Sequence, residues 1–216
     1  MDVLVDNFDL FVGGFLGSLR IIAYSLVGSL VLGAILAMMR VSPVAPLRQF
    51  GSGYVSVVRN SPLTVMLFFT AFVLPELGFN RPFFQLGVIG LSLYTAAFVC
   101  EAIRSGINAV PDGQAEAARA IGLTFSQSLG SVVMPQALRT VVPPLGSVVI
   151  AMMKNSAIVG AFGVGGDLYS VGSRLTSAQG FAALPVLTGV LLGYLAITLP
   201  TAAILSRIEE KVAIVR

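Results

Sequence analysis

Apolar residues in this chain come in long runs, and the charges fall in the gaps between them. Ile21 to Met39 holds no charged side chain and is flanked by Arg20 and Arg40. A membrane-spanning helix needs about 20 apolar residues rising about 1.5 Å each, so this run predicts a first span over 20–40. Asn60 to Pro75 is also uncharged and closes on Glu76 and the turn residues Gly78, Asn80 and Pro82, predicting a shorter span over 60–77. Pro82 to Cys100 predicts a third over 82–103. Thr140 to Gly166, apolar except for Lys154, predicts a fourth over 138–163, and Phe181 to Leu205 a fifth over 181–205, before the charged tail Arg207 to Arg216. Ahead of the first run, Phe8, Phe11, Val12, Phe15, Leu16 and Leu19 recur at helical spacing opposite Asp9, Gly13, Gly17 and Ser18. Residues 1–19 therefore read as an amphipathic helix along the outer interface, with the chain turning inward after it. Gly13 and Gly17 form a GxxxG pair of the kind that lets helices pack closely. Val41 to Arg59, with its prolines and its Gly and Ser breakers, reads as a connection. The expected architecture is one all-α integral membrane domain of about five transmembrane helices.

Composition supports the membrane reading. Of the 216 residues, 56% are hydrophobic and 11% charged, and the mean hydropathy of +0.92 leaves too little polar surface to cover a soluble domain. One cysteine and no histidine provide neither an internal disulfide framework nor a zinc site of the usual kind. Cys100, in an apolar run, reads as a packed small side chain. A net charge of +3, dispersed along the chain, does not suit nucleic acid. Met1 to Asp9 lacks the basic start and cleavage site of a signal peptide. Basic residues near span ends favour the cytoplasm. With the N-terminus outside, Arg40, Arg48, Arg59, Arg104, Arg119, Arg139, Arg207, Lys211 and Arg216 are cytoplasmic, and only Arg20, Arg81, Lys154 and Arg174 fall outside or within the membrane.

That orientation puts the moderately polar insert 104–137 in the cytoplasm. Asp112, after Pro111, is expected to cap a helix from Gln114 to Ala120 with Glu116 in its first turn. Gly122 suits the left-handed residue that ends such a helix. Thr124 to Gln127 (Thr-Phe-Ser-Gln) has the form of a capping box for a second short helix. Pro135 lacks an amide proton and biases Met134 away from helical geometry, so a bend is expected there. An ordinary helix hairpin would use the alanines at 115, 117, 118 and 120 only as helix formers. A docking element would use the same small side chains to let a partner groove approach.

The docking reading gains from a resemblance. Glu116-Ala117-Ala118, three residues, Gly122, nine residues and Val132-x-Met134-Pro135 resembles the EAA loop of ABC-importer membrane subunits, written EAA, three residues, G, nine residues, I-x-L-P. Further blocks are similar to the polar-amino-acid uptake branch: Tyr54 to Leu63, Tyr94 to Gly106, Gly113-Gln114, Pro135-Gln136-Ala137 and Lys154-Asn155-Ser156. Met39 to Pro43 and Arg104 to Asn108 look most like glutamate permease subunits of Gram-positive bacteria. The resemblance implies a non-enzymatic transport subunit in a bacterial cytoplasmic membrane, importing a polar amino acid: glutamate first, with glutamine, aspartate or arginine as alternatives. It implies Glu116, Ala117, Ala118, Arg119, Gly122, Leu123, Phe125 and Pro135 as the ATPase-coupling residues. The implied partners are an ABC ATPase dimer that carries ATP and Mg, a second permease subunit (identical or not) and an extracytoplasmic solute-binding protein. Two alternatives come from other classes: an ion-coupled secondary transporter, although no inverted repeat is evident, and a non-transporting membrane scaffold, which would leave Lys154 and the loop unexplained.

The remaining chemistry is sparse. No P-loop precedes Lys154 or Lys211, and the serines have no histidine to activate them. No cofactor is expected on this chain. Glu101 and Arg104, three apart on one helix, are expected to form a structural ion pair. Lys154 lies inside the fourth run, where an ionisable residue is a functional candidate by default; snorkelling or a structural pair is the competing reading. With Asn155 and Ser156 beside it, it is the candidate substrate path, and Gly160, Gly163, Gly165 and Gly166 favour a break in the helix just beyond.

Overall fold

A computed structural model describes residues 2–212, apart from the side chains of Asp2 and Phe125. Arg216 of the expected cytoplasmic tail and the Phe125 side chain lie outside the described residues. The element order is α1 (Asp2–Asp6), α2 (Phe8–Val41), α3 (Ala45–Arg59), α4 (Leu63–Glu76), α5 (Phe83–Asn108), α6 (Asp112–Ala120), α7 (Ser126–Ala161), α8 (Leu168–Ser173) and α9 (Ala183–Val212). Among the described residues there is no strand. Among the described residues four helices, α2, α5, α7 and α9, are long and apolar enough to cross a membrane, and α3 with α4, bent by 109° at their junction, can supply a fifth crossing.

Two expectations are corrected at the N-terminal end. The helix from Phe8 passes Arg20 without a turn and continues to Val41, 34 residues in all, or about 51 Å at 1.5 Å per residue. The amphipathic segment is thus the first third of one long helix. Its apolar face packs on α9 at Phe11 and on the core at Ile21 and Ile22, which keeps it in line with the first span. The Val41–Arg59 stretch is also helical over α3. Pro46 sits in its first turn, where the missing amide proton would have had no helical partner. Gly51 lies close against Arg40 and Leu36 of α2, so the expected breakers serve a helix start and a close approach. At Asn60-Ser61-Pro62 the chain leaves the helix. Pro62 is extended at φ −63° and ψ 140° and starts α4, whose 14 residues (63–76) would span only about 21 Å. The second crossing needs its bent partner to reach full depth.

The fold centres on α5, which packs against both α2 and α7. One apolar cluster joins Ile21, Ile22, Leu91, Met152, Val159, Leu168 and Val186 from five elements. A second joins Leu36 and Ala37 of α2, Val55 and Val58 of α3 and Ala96, Ala97 and Cys100 of α5. Small residues permit this closeness, since lipid offers no hydrophobic drive between helices. An added Cβ at Gly33 would meet Val99 at 2.5 Å, and one at Gly106 would meet Val141 at 2.2 Å.

Beyond Ala161 the chain turns through Gly163, Gly165 and Gly166, with φ of +79°, +75° and +74°, values that favour glycine. This turn inserts into a notch between α2 and α7. Asp167, fully buried, caps α8 by accepting from Tyr169 N at 3.2 Å, Ser170 N at 3.4 Å and the Ser170 hydroxyl. Leu168 N donates to Ser18 Oγ of α2 at 3.1 Å. The notch exists because its walls are glycines. A Cβ at Gly17 would lie 1.8 Å from Gly166 O, whereas one at Gly13 meets nothing within 4 Å. Within this chain, Gly17 of the GxxxG pair faces a neighbour and Gly13 does not, and that neighbour is the loop rather than a helix. A backbone carbonyl cannot swing aside, so Gly17→Ala should lower stability by about 1–3 kcal/mol despite the better helix former. Gly13→Ala should be neutral or slightly stabilising. Thermal unfolding of the two detergent-solubilised variants checks this, and equal transitions would contradict the notch.

Candidate functional site

The insert between α5 and α7 is built by local backbone rules. Asp112 does not cap α6 as expected. Pro111 holds that position, extended at φ −61° and ψ 135°, and Asp112 is the first helical residue, with no side-chain cap bond. Its carboxylate can act only on the helix dipole. Because the helix starts at Asp112, Glu116 lies beyond the first turn. The C-terminal end has the expected form. Gly122 has φ +88°; Gly122 N donates to Arg119 O at 3.0 Å and Leu123 N to Ala118 O at 3.1 Å, which is a complete Schellman motif. The capping box also forms: Thr124 N donates to Gln127 Oε1 at 2.9 Å, and Gln127 N to Thr124 Oγ1 at 3.4 Å.

No break occurs at Pro135. A π-helical turn over Leu129–Val133 precedes it, and Met134 N donates to Leu129 O. Widening the turn makes room for the proline ring, and the helix runs on through Pro143 and Pro144 to Ala161. The same device precedes Pro75, where Phe69–Val73 forms a π turn and Leu74 N donates to Phe69 O.

These turns leave α6 as a short exposed helix held at its base. Ala118 faces inward at 4% exposure, while Glu116, Ala117 and Arg119 are exposed. Gln136 Nε2 donates to Gln114 Oε1 at 3.4 Å, tying α6 to α7. Thr140 Oγ1 donates to Gly106 O at 2.6 Å, tying α7 to α5 beside the close Gly106–Val141 contact. Pro135 is exposed beside this base and Leu123 is half-buried. Ile121, 79% exposed at the tip, is a candidate that motif reading passes over. Its signal is an apolar residue directly before a helix-ending glycine.

The charged residues pair differently from expectation. Glu101 Oε1 accepts from Arg40 of α2 and lies 3.7 Å from Arg59 Nη1 of α3. Among the described residues it makes no ion pair with Arg104. The packing of α2 on α5 at Leu36, Ala37 and Cys100 brings the Arg40 guanidinium to the carboxylate first. Arg40 also approaches Cys100 Sγ at 3.8 Å, and Arg59 lies 5.7 Å from the centre of the Phe98 ring. The candidate substrate-path residues are separated as well, because successive residues on a helix point about 100° apart. Lys154 is exposed in a cleft of 380 Å³ between α7 and α9 that also holds Glu209. Asn155 lines a cleft of 260 Å³ with Tyr94, Thr95 and Phe98 of α5. Ser156 is buried and donates to Met153 O at 2.7 Å.

Comparison with known proteins places this architecture. The chain belongs to the family described as the binding-protein-dependent transport system inner membrane component, which matches residues 29–213. It is thus a multi-pass membrane permease of the ABC-importer type, a family that works with ATPase and binding-protein partners. Among its relatives is the probable glutamine ABC transporter permease protein GlnM of Bacillus subtilis (strain 168), 38% identical over 98% of this chain and 97% of that protein. The glutamate transport system permease protein GluC of Corynebacterium efficiens is 40% identical over 91% of each chain. A solved structure described as an amino acid ABC transporter with histidines superposes with a TM-score of 0.90 at 32% identity, over 97% of each chain.

Arg40 is mostly buried, with its side chain 13% exposed, and Glu101 is 28% exposed, so an orphaned partner is expensive. Glu101→Gln should cost about 2–4 kcal/mol, toward the lower end of a broken buried pair because the cluster is part open. Chemical or thermal unfolding measures the loss. A variant as stable as wild type would show that the Arg40–Glu101 contact does not hold α2 to α5.

Proposed function

We propose that this chain is the membrane-spanning permease subunit of an ATP-driven importer of polar amino acids, with glutamate favoured and glutamine, aspartate or arginine as the alternatives. The supporting observation is full-length similarity to permeases named for glutamine and glutamate, on a fold shared with an amino acid transporter. ATP and Mg belong to a separate ATPase pair. A second permease, identical or not, completes the membrane part, and an extracytoplasmic binding protein delivers substrate. In this reading α6 is the docking element. Glu116, Ala117, Ala118, Arg119, Gly122, Leu123, Phe125 and Pro135 form or support its contact with the ATPase, and Ile121 adds an apolar contact at the tip. Asn155 and Lys154 belong to the substrate path from two neighbouring clefts.

Coupling needs α6 to move as a unit with α5 and α7. Its ends are fixed by backbone bonds and its base by Gln136 and Thr140, so a push on the tip is delivered to both long helices. Reconstituted with its ATPase, partner permease and binding protein, the complex should take up labelled glutamate in an ATP-dependent manner, with unlabelled glutamate competing better than glutamine or arginine. Gly122→Trp should insert and assemble yet lose about tenfold or more of uptake per ATP hydrolysed, because a side chain at φ +88° strains the turn by about 1–2 kcal/mol and bulk blocks the docking face. Wild-type uptake and hydrolysis in this variant would remove α6 from the coupling path.

The proposal also fixes topology: N-terminus outside, α6 and the C-terminal end of α9 in the cytoplasm. The loop at Asn80 and the insert at Ser126 lie beyond opposite ends of α5, an unbroken helix of 26 residues or about 39 Å. In a Cys100→Ser background, Asn80→Cys should react with an impermeant thiol reagent from outside and Ser126→Cys only from inside. Labelling of both from one side would overturn the arrangement.

A further inference from the structure

Two clefts meet at one aromatic ring. The first, of 260 Å³, holds Thr95 and Asn155. The second, of 370 Å³, is lined by Arg40, Ser56, Arg59, Asn60 and Glu101, and is of the size at which small-molecule sites begin, about 300 Å³. Phe98 lines both. Thr95 and Glu101 are about 9 Å apart along α5, so the second cleft lies on the side of Phe98 nearer α6.

The second cleft is electrostatically unfinished. One carboxylate, Glu101, faces two guanidinium groups, and a single negative charge cannot neutralise both. Arg40 holds it directly, while Arg59 stands off at 3.7 Å with its side chain 46% exposed. Arg59 is instead laid against Phe98 at 5.7 Å. That contact places the guanidinium over the ring at the cleft, and a guanidinium carries paired donors that can receive a carboxylate bidentately.

We propose that Phe98 is the partition between the two clefts, and that Arg59 receives the carboxylate of the translocated amino acid on the α6 side of it. The inference rests on the amino-acid importer reading. Arg40 keeps Glu101 neutralised throughout, so Arg59 can exchange its long contact with Glu101 for the substrate without leaving a buried charge alone. The cation–ring contact sets Arg59 beside Phe98, and displacement of Phe98 brings the carboxylate within its reach.

The test uses the full complex in liposomes with its binding protein and labelled glutamate. Arg59→Gln should assemble and keep basal ATP hydrolysis and the half-saturating concentration set by the binding protein, while the maximal uptake rate falls about tenfold, as expected for a lost charge-assisted contact. Arg59→Lys, which keeps the charge but not the fork, should fall between. In a Cys100→Ser parent, Arg59→Cys should regain uptake on modification with a trimethylammonium-ethyl thiosulfonate and not with its neutral methyl counterpart. Phe98→Ala should raise ATP-independent efflux of preloaded glutamate, and unchanged efflux would overturn the partition. Equal rescue by both reagents, or loss of assembly in Arg59→Gln with wild-type maximal uptake in Arg59→Lys, would reduce Arg59 to a structural strut and overturn the proposal. If wild type takes up no amino acid, the importer reading fails and this inference with it. If wild type transports and Arg59→Gln transports equally well, the inference fails alone.

Discussion

A backbone inside hydrocarbon has no water to complete its hydrogen bonds, so every amide and carbonyl must be answered by the protein itself. This chain places prolines within or beside its crossings at 75, 135, 143, 144 and 200, each lacking a donor. Its response is to bend the rule of the helix while keeping the helix. Before Pro75 and Pro135 the turn widens to a π turn, and Leu74 and Met134 reach back five residues. The carbonyls that the next prolines leave open lie at the base of α7, beside the Thr140 hydroxyl that α7 shares with Gly106 O. At Asn60–Pro62 the helix does yield, and there the chain turns by 109°.

The same constraint shapes the turn after Ala161. Gly163, Gly165 and Gly166 are exposed, but the turn ends in buried Asp167 and Leu168, against glycine-walled faces of α2 and α7, with Asp167 spending both carboxylate oxygens on the start of α8. Around α5 the demands converge. One helix carries the pairing with α2 at Glu101, the close contact with α7 at Gly106 and, just past its end, the insert that carries α6. Charge, packing and the placement of the exposed insert are thus strung on a single rod.

Legibility in the amino-acid order tracks the range of the forces involved. The crossings were legible because uncharged length is itself the requirement. Gly122 and the Thr124–Gln127 box were legible because a helix end is decided within a few residues. Reading failed where a local rule had two outcomes: Pro43 and Pro46 looked like breakers but precede or open α3, and Asp112 looked like a cap but stands one place inside the helix. It failed again where the partner is distant. The choice of Glu101 between Arg104, three residues away, and Arg40 and Arg59 on other helices is made by tertiary packing, which no spacing along the chain reports. Lys154, Asn155 and Ser156 are adjacent in the chain and point to three surroundings.

The way α6 ends has a consequence of its own. Its termination by Gly122 is written entirely in main-chain bonds, Gly122 to Arg119 and Leu123 to Ala118, and the exposed side chains at Glu116, Ala117, Arg119 and Ile121 take no part in it beyond the Arg119 Nε bond to Ala115 O. Form and chemistry are therefore separable there. Under the proposed docking role, changes other than to proline at those four positions would alter what the surface displays while the main-chain bonds that end the helix stay in place.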